Sequence, residues 1–333
     1  MIRLSTLAAL VAAALLTALA PAASAASIGD LSKAVADDGA KVVGETVVDA
    51  RTVDLQVWSP AAKRTASVRL MLPPDWFTNP SRNYPALFLL HGANEWVDYR
   101  SWTQFTDVES FLADKPVLTV MPSDGSSGFY TKEWNYGRRG GVDYETFHTV
   151  ELPQILERAY RSTTRRAVAG ISIGGYGAMA YAARHPGLFG AAASYSGLLH
   201  LRYDKTWMVV STIRVRANRD FFQLWGSPAQ QARIWRSVNP YDLAEKLRGT
   251  ELFVSSGNGT PGPFEKPDDL NILGNPIEEW SWNNSRTFVR RLDELGIPVT
   301  TDLYRGGTHT WPYWEREFAR SWPVLARGLG LDG

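Results

Sequence analysis

One serine lies in a setting that can make its hydroxyl a nucleophile. The pattern G-x-S-x-G occupies residues 170–174, with Ser172 at its centre. An apolar run at 167–169 precedes it and a helical pattern at 176–183 follows it. A strand, a tight turn and a helix form the nucleophile elbow of α/β-hydrolases, in which small neighbours let strand and helix approach while the serine stays accessible. The motif therefore predicts acyl transfer through Ser172.

A serine hydroxyl becomes a good nucleophile when a base removes its proton, so a histidine must cooperate with it. The chain has five histidines. Four lie in settings with ordinary structural or surface roles: His91, His148, His185 and His200. His309 alone follows the last predicted strand, in a glycine-rich turn before a helix, and the order Ser, acid, His is that of this fold. We therefore predict that His309 is the general base.

The third member of such a triad is an acid that orients the histidine and stabilises its charged form. It should follow the predicted strand at 252–255, and several carboxylates do so. Spacing leaves five candidates: Glu265, Asp268, Asp269, Glu278 and Glu279.

Strand and helix patterns alternate along the chain. Apolar or alternating runs predict strands at 67–72, 86–90, 117–121, 167–171, 191–195, 252–255 and 299–304. Amphipathic patterns predict helices at 144–160, 176–184, 241–247, 285–295 and 314–325. Such alternation is typical of a mostly parallel sheet covered by helices on both faces, which here means the α/β-hydrolase fold.

Two segments interrupt the alternation. Residues 200–240 are basic and aromatic with no clear strand, which predicts a helical cap inserted over the sheet. Residues 257–276 are rich in Gly, Pro, Asn and Asp, which predicts an extended loop. Long loops in compact enzymes tend to carry function.

The beginning of the chain predicts export. Arg3 precedes an apolar run at 4–20, and small residues at 23–25 suit cleavage by signal peptidase. We expect residues 1–25 to be a signal peptide rather than a membrane anchor, and residues 26–333 to form one secreted domain.

Composition excludes several partners and chemistries. Without Arg3 the chain has 34 basic and 34 acidic residues, so it lacks the positive charge that binding to nucleic acid requires. It contains no cysteine, which excludes a thiol nucleophile and disulfides. The thirteen tryptophans suit core packing and, secondarily, binding of acyl or sugar groups.

The sequence resembles the secreted mycolyltransferase and esterase family that includes the antigen 85 proteins. The resemblance runs from about residue 86 to residue 314, and its motifs lie at 86–92, 98–102, 127–130, 145–147, 151–153, 170–174, 257–261 and 307–311. It implies a Ser, Glu, His triad with Glu278 as the acid. It also implies an oxyanion hole formed by the backbone N–H groups of Ala93 and Ile173.

The resemblance extends to substrate-binding positions, with a difference. Mycolyl-transferring members carry an acid and an arginine in the loop after the first buried strand, where they hold trehalose. Here these positions are His91 and Asn94, whereas the family's acceptor-site tryptophan is retained as Trp311. We therefore expect His91, Asn94 and Trp311 to contact substrate, and hydrolysis to be favoured over mycolyl transfer.

These features predict a secreted or cell-wall-associated serine esterase that acts on acyl esters without a metal or other cofactor, as a monomer without a membrane anchor. One alternative is acyl transfer to trehalose, glycerol or another hydroxyl, as in trehalose mycolyltransferases and diacylglycerol acyltransferases. An alternative of another class is a non-catalytic binder of cell wall or carbohydrate.

Overall fold

A computed structural model describes residues 27–93, 95, 97–265 and 274–332, with only the backbone of 274 and 275. The predicted signal peptide lies outside these residues, as do Asn94, Asp268 and Asp269.

The described residues build a nine-stranded sheet. Its strands are β1 (Lys41–Val47), β2 (Thr52–Ser59), β3 (Arg64–Met71), β4 (Tyr84–Leu90), β5 (Leu118–Pro122), β6 (Ser162–Ile171), β7 (Ala191–Tyr195), β8 (Glu251–Gly257) and β9 (Thr300–Tyr304). The spatial order is β1-β2-β3-β5-β4-β6-β7-β8-β9. Pairing is antiparallel from β1 to β5 and parallel from β5 onward. The carboxyl ends of the parallel strands therefore share one sheet edge, where ligands bind in such folds.

Helices cover both faces of this sheet. They are α1 (Ser101–Phe105), α2 (Val108–Phe111), α3 (Tyr144–Thr146), α4 (Leu152–Ala159), α5 (Ile173–Arg184), α6 (Thr206–Arg216), α7 (Phe221–Trp225), α8 (Ala232–Val238), α9 (Pro240–Leu243), α10 (Gly274–Glu294) and α11 (Trp311–Leu329). A π-helical turn, Phe147–Glu151, joins α3 to α4, and 3-10 turns lie at Asp98–Arg100, Asn135–Gly137 and Ala244–Leu247.

The core has two layers because the central strands are buried on both faces. In β4, Phe88 and Leu90 belong to one layer, and Leu87 and Leu89 to the other. Successive side chains of a strand point to opposite faces, so a continuous apolar run fills both layers. This confirms the reading of 86–90 as a buried strand.

Most predicted elements are present, and the differences are informative. The predicted cap at 200–240 forms α6, α7 and α8 between β7 and β8. Strands β1 and β2 were not predicted, because polar residues interrupt their patterns. Asp54 of β2 is buried, and Arg69 of β3 donates to it from Nε at 2.7 Å and from Nη2 at 3.0 Å. The helix predicted at 285–295 begins earlier, at Gly274, and so includes the end of the predicted loop.

Candidate active site

Ser172 lies at a sharp turn between β6 and α5. Its backbone angles are φ 53° and ψ −118°, a region that non-glycine residues seldom adopt and that usually indicates a functional constraint. The turn is held by a backbone hydrogen bond of 2.9 Å from the Ser172 N–H to the carbonyl of Tyr195, at the end of β7. The serine is almost buried, at 7% exposure.

The glycines of the motif permit this close approach. A Cβ at Gly170 would lie 2.3 Å from the carbonyl oxygen of Gly174. A Cβ at Gly174 would lie 2.5 Å from the carbonyl oxygen of His91 and 2.6 Å from that of Leu90. Because all three obstacles are backbone atoms, these positions require glycine.

Ser172 and His309 line the same cavity, which has a volume of about 530 Å³. His309 comes from the turn between β9 and α11, at the sheet edge where β6 also ends. The sheet thus brings together two residues 137 positions apart in the chain. The predicted nucleophile and base meet in one cavity.

Glu278 is the carboxylate that contacts the histidine. The Nδ1–H of His309 donates to Glu278 Oε2 at 2.7 Å, and the Glu278 side chain is fully buried. With Nδ1 carrying this proton, Nε2 is the nitrogen that can accept a proton from an alcohol. This is the tautomer that general-base catalysis needs.

Three donors hold the other oxygen of this carboxylate. Glu278 Oε1 accepts hydrogen bonds from Ser196 Oγ at 2.8 Å, Ser256 Oγ at 2.9 Å and the Gly257 N–H at 2.7 Å. Buried charges are tolerated when hydrogen bonds satisfy them. The carboxylate is therefore fixed in position before any substrate arrives.

Trp314 ties this network to the histidine. Its Nε1–H donates to Ser196 Oγ at 2.9 Å, and its ring packs edge-on against His309 with centroids 4.9 Å apart. Sequence reasoning missed Ser196, Ser256 and Trp314. The available signal was the small polar residues at the carboxyl ends of β7 and β8, which meet at the edge that carries Ser172.

The structure also describes two other candidates for the acid, Glu265 and Glu279. Glu265 accepts hydrogen bonds from Thr308 Oγ1, Tyr313 Oη and the Gly262 N–H, and so braces the turn that carries His309. Burial works against ionisation of Glu265, but the hydrogen bonds from Thr308 and Tyr313 outweigh it and lower its pKa. Glu279 is exposed.

The expected oxyanion-hole residues flank the nucleophile. Ala93 lines the cavity together with Ser172. Ile173 is the first residue of α5, and N–H groups in the first turn of a helix have no acceptor within the helix. Such groups are the donors that a developing oxyanion needs.

The imidazole of His91, a predicted substrate contact, is held by neighbouring backbone groups. The imidazole is buried and does not line the cavity. Its Nδ1 donates to the carbonyl of Gly92 at 2.7 Å, and its Nε2 accepts from the Asp124 N–H at 3.0 Å. Both ring nitrogens are thus engaged within the protein, and His91 instead anchors the loop that carries Ala93.

Trp311, also a predicted substrate contact, lies in an aromatic cluster. Its half-buried ring packs against Trp102, Phe105 and Trp314, with centroids 5.3–5.5 Å apart. Trp314, rather than Trp311, lines the cavity.

The wall of the cavity is mainly apolar, and the cap supplies much of it. Its other lining side chains include Leu198, Met208, Val209, Ile213, Ile277 and Trp280. Two charged residues that the sequence reading missed, Glu95 and Arg216, also line it. Burial raises the pKa of Glu95. Apolar walls with few polar groups suit an acyl chain attached to a reactive ester.

Among the described residues, no group of three or more His, Asp or Glu side chains is arranged to hold a metal ion. Within the same part of the chain, no helix has the length and apolar character needed to cross a bilayer.

Comparisons with known proteins identify the family of this chain. A family model described as "Putative esterase" matches residues 59–325. Esterase Rv1288 of Mycobacterium tuberculosis is 32% identical over 275 residues, or 79% of this chain. The alignment spans 58% of that esterase, so this chain corresponds to little more than half of its length.

A second relative carries a different activity in its name. The diacylglycerol acyltransferase/mycolyltransferase Ag85B of Mycobacterium leprae is 30% identical over 285 residues, covering 83% of each chain. Among solved structures, MPT51 (FbpC1) of Mycobacterium tuberculosis superposes with a TM-score of 0.68 at 26% identity, covering 83% of this chain and 97% of that protein.

Proposed function

Since this chain belongs to the esterase family whose model spans residues 59–325, we propose that it is a serine carboxylic-ester hydrolase acting through Ser172, His309 and Glu278. The observation that carries the proposal is the 2.7 Å hydrogen bond from His309 Nδ1 to buried Glu278, with His309 and Ser172 lining one cavity.

The first half of the reaction makes an acyl-enzyme. His309 Nε2 takes the hydroxyl proton of Ser172 while Oγ attacks the ester carbonyl carbon. The N–H groups of Ala93 and Ile173 stabilise the resulting oxyanion, a contribution for which loss of one donor typically costs about a hundredfold to a thousandfold in rate. The tetrahedral intermediate then expels the alcohol, which takes its proton from His309.

The second half releases the acid. Water gives a proton to His309 and attacks the acyl carbonyl, and the Ser172 oxygen leaves with that proton. Throughout, Glu278 accepts the Nδ1–H and stabilises the transient imidazolium. The three donors on Glu278 Oε1 keep the carboxylate aligned through both halves.

Hydrolysis is favoured over transfer to trehalose by the position of His91. The family resemblance implies that mycolyl-transferring members hold the sugar with an acid at this position, whereas here both nitrogens of a buried imidazole are engaged by the protein. The side chain is therefore not free to bind a sugar hydroxyl.

Transfer to another alcohol is the second candidate, because Ag85B is a relative at 30% identity. The two reactions separate when one acyl ester is incubated with enzyme alone and with trehalose or glycerol, and products are identified by mass spectrometry. Hydrolysis predicts free acid in every mixture. Acylated trehalose or glycerol as the main product would make the enzyme a transferase.

We also propose that the protein is secreted after removal of residues 1–25 and acts outside the cell as a monomer. Support comes from the basic start, the apolar run and the small residues at 23–25. Amino-terminal sequencing of protein from the culture medium should find a start near Ala26. A start at Met1 would contradict processing.

A further inference from the structure

Helix α6 of the cap is reversed in polarity relative to an ordinary surface helix. It buries Thr206 and Arg214, which are 1% and 0% exposed, together with Val210. It exposes Trp207, Met208 and Val215, at 41%, 45% and 66%. Surface helices normally turn their apolar stripe toward the core. Large apolar side chains on the outer face therefore call for an explanation.

The buried side of α6 is polar because it carries an ion pair. Arg214 Nη2 donates to Glu133 at 2.9 Å, and the same guanidinium donates to the carbonyl groups of Ser127 and Asp220. This network fixes the rotation of the helix about its axis. The apolar face is thus held outward by the fold.

Two of these exposed residues line one groove, whose other side chains include Arg219 and Asp220. Trp207, Ser211 and Val215 are four residues apart, so they lie on one face, and they line this groove of about 630 Å³. Phe222 of α7, itself 51% exposed, lines the same groove. We refer to Trp207, Met208, Val215 and Phe222 as the α6 surface.

This surface lies beside the entrance to the active site. Met208 belongs to both, because together with Thr212 and Arg216 it also lines the cavity that contains Ser172. An α-helix with its side chains is about 10–12 Å across. Material bound at the α6 surface would thus be within about one helix diameter of the cavity.

The charge of the cap indicates what binds there. Residues 200–240 contain seven lysines and arginines and two aspartates, whereas the whole chain has a net charge of only +1. In the described part of the chain, ion pairs engage Arg202, Arg214 and Arg219, and none engages Lys205 or Arg216, at the two ends of α6. Exposed aromatic and aliphatic side chains flanked by cations are typical of segments that bind an anionic lipid surface.

We propose that the α6 surface docks the enzyme on an anionic lipid surface, with Trp207, Met208, Val215 and Phe222 among the lipid headgroups and Lys205 and Arg216 facing their phosphates. The docked cap then presents the mouth of the cavity to ester-bearing lipids. Binding of lipid to the α6 surface does not depend on the chemistry of Ser172.

Flotation with vesicles tests the proposal, in the Ser172→Ala background so that hydrolysis cannot alter the membrane. The protein should float with vesicles of equimolar phosphatidylcholine and phosphatidylglycerol, float less with phosphatidylcholine alone, and dissociate as salt is added. Because this measurement uses no turnover, its result is independent of whether the proposed esterase activity is correct.

Matched variants locate the surface. The double variant Trp207→Ser/Val215→Ser should weaken binding at least about tenfold, because it removes two exposed apolar anchors. Lys205→Gln should weaken it about fivefold, the equivalent of about 1 kcal/mol for one cation near a membrane. Phe77→Ser removes a side chain that is 63% exposed outside the cap, and should leave binding unchanged. Melting temperatures check that each variant folds.

Three results would overturn the proposal. One is failure of the Ser172→Ala protein to float with either kind of vesicle at low salt. Another is equal flotation by the protein with and without Trp207→Ser/Val215→Ser. The third is a dimer, detected by sedimentation, that the same double substitution dissociates, because the α6 surface would then bind a second copy.

Discussion

Ser196 Oγ donates a 2.8 Å hydrogen bond to Glu278 Oε1, the oxygen of the acid that does not contact His309. Ser196 itself has a positive φ of 53°, which is unusual for a non-glycine residue. Strain tolerated at this position indicates that the orientation of the carboxylate matters to the site.

Replacing Ser196 with Ala should lower kcat/KM for a soluble ester about tenfold, because a hydrogen bond to a charged group is worth about 1.5–3 kcal/mol. Steady-state kinetics measure the effect. Ser194→Ala is the matched control, since the Ser194 hydroxyl is buried nearby and no described residue is its hydrogen-bond partner. Equal losses in both variants would show that Ser196 has no particular role in positioning Glu278.

Glu278→Gln should lower kcat by about a thousandfold to ten-thousandfold, because a neutral amide cannot stabilise the imidazolium or enforce the correct tautomer. Glu279→Gln, at the exposed neighbouring position, should behave as wild type. A large loss of activity in Glu279→Gln together with an active Glu278→Gln would show that Glu279, and not Glu278, is the acid of the triad.

Gly174→Ala should destabilise the fold by about 1–3 kcal/mol, as overpacking does, and should abolish activity by shifting the elbow. The added Cβ would meet backbone oxygens at 2.5 and 2.6 Å, and these cannot move aside as a side chain could. Urea denaturation measures the change. Gly44→Ala is the control, because its nearest obstacle is a side-chain carbon at 3.4 Å. Equal stability of the two variants would contradict the tight packing described for the elbow.

Stability should depend on pH through His148. Burial lowers its pKa to about 3 from an ordinary 6.5. Between these values the unfolded chain binds a proton that the folded protein excludes, so this residue makes the free energy of unfolding fall as pH decreases from about 6.5 toward 3. The steepest slope is about 1.4 kcal/mol per pH unit.

The test compares the pH dependence of unfolding in wild type and in His148→Gln. Buried Glu151 and Glu317 have pKa values raised to about 7 by burial, and they act in the opposite direction between about 4.5 and 7. The difference between the two proteins, rather than the wild-type slope, therefore isolates His148. Parallel curves for the two proteins would refute the assignment.

The Val209→Trp substitution should lower activity on esters with long acyl chains more than activity on esters with short ones. Val209 lines the cavity on α6, so a larger side chain there removes space from the apolar wall. We expect kcat/KM for an octanoyl ester to fall at least about tenfold, because overpacking an apolar site costs about 1–3 kcal/mol, while an acetyl ester is little affected. Equal losses for both esters would show that the acyl chain does not use this wall.

The sequence was sufficient for elements whose signal is local. The elbow around Ser172 and the buried run at 86–90 have patterns that few other structures produce, and both are present. Strand β2 was missed because its buried Asp54 is compensated by Arg69, which lies fifteen residues later in the chain, on β3. Tertiary pairing of this kind is invisible to periodicity.

The residues of the candidate site also differ in whether the sequence alone could identify them. His309 followed from chain order, whereas Glu278 could be singled out only by family resemblance, because spacing alone left five carboxylates. Ser196 directly follows β7 and Ser256 belongs to β8, and only the neighbouring positions of these two strands bring both hydroxyls to one carboxylate. The hydrogen bonds that engage both nitrogens of His91 could not be predicted either, because residue type does not reveal such partners.

The most direct test of the central claim is labelling with a fluorophosphonate probe, followed by peptide mapping, of wild type, Ser172→Ala and Ser194→Ala. The account predicts one covalent adduct on Ser172 in the wild type, the same adduct in Ser194→Ala and none in Ser172→Ala. A wild-type protein that takes no label, or a Ser172→Ala variant that is labelled as fully as wild type, would contradict it.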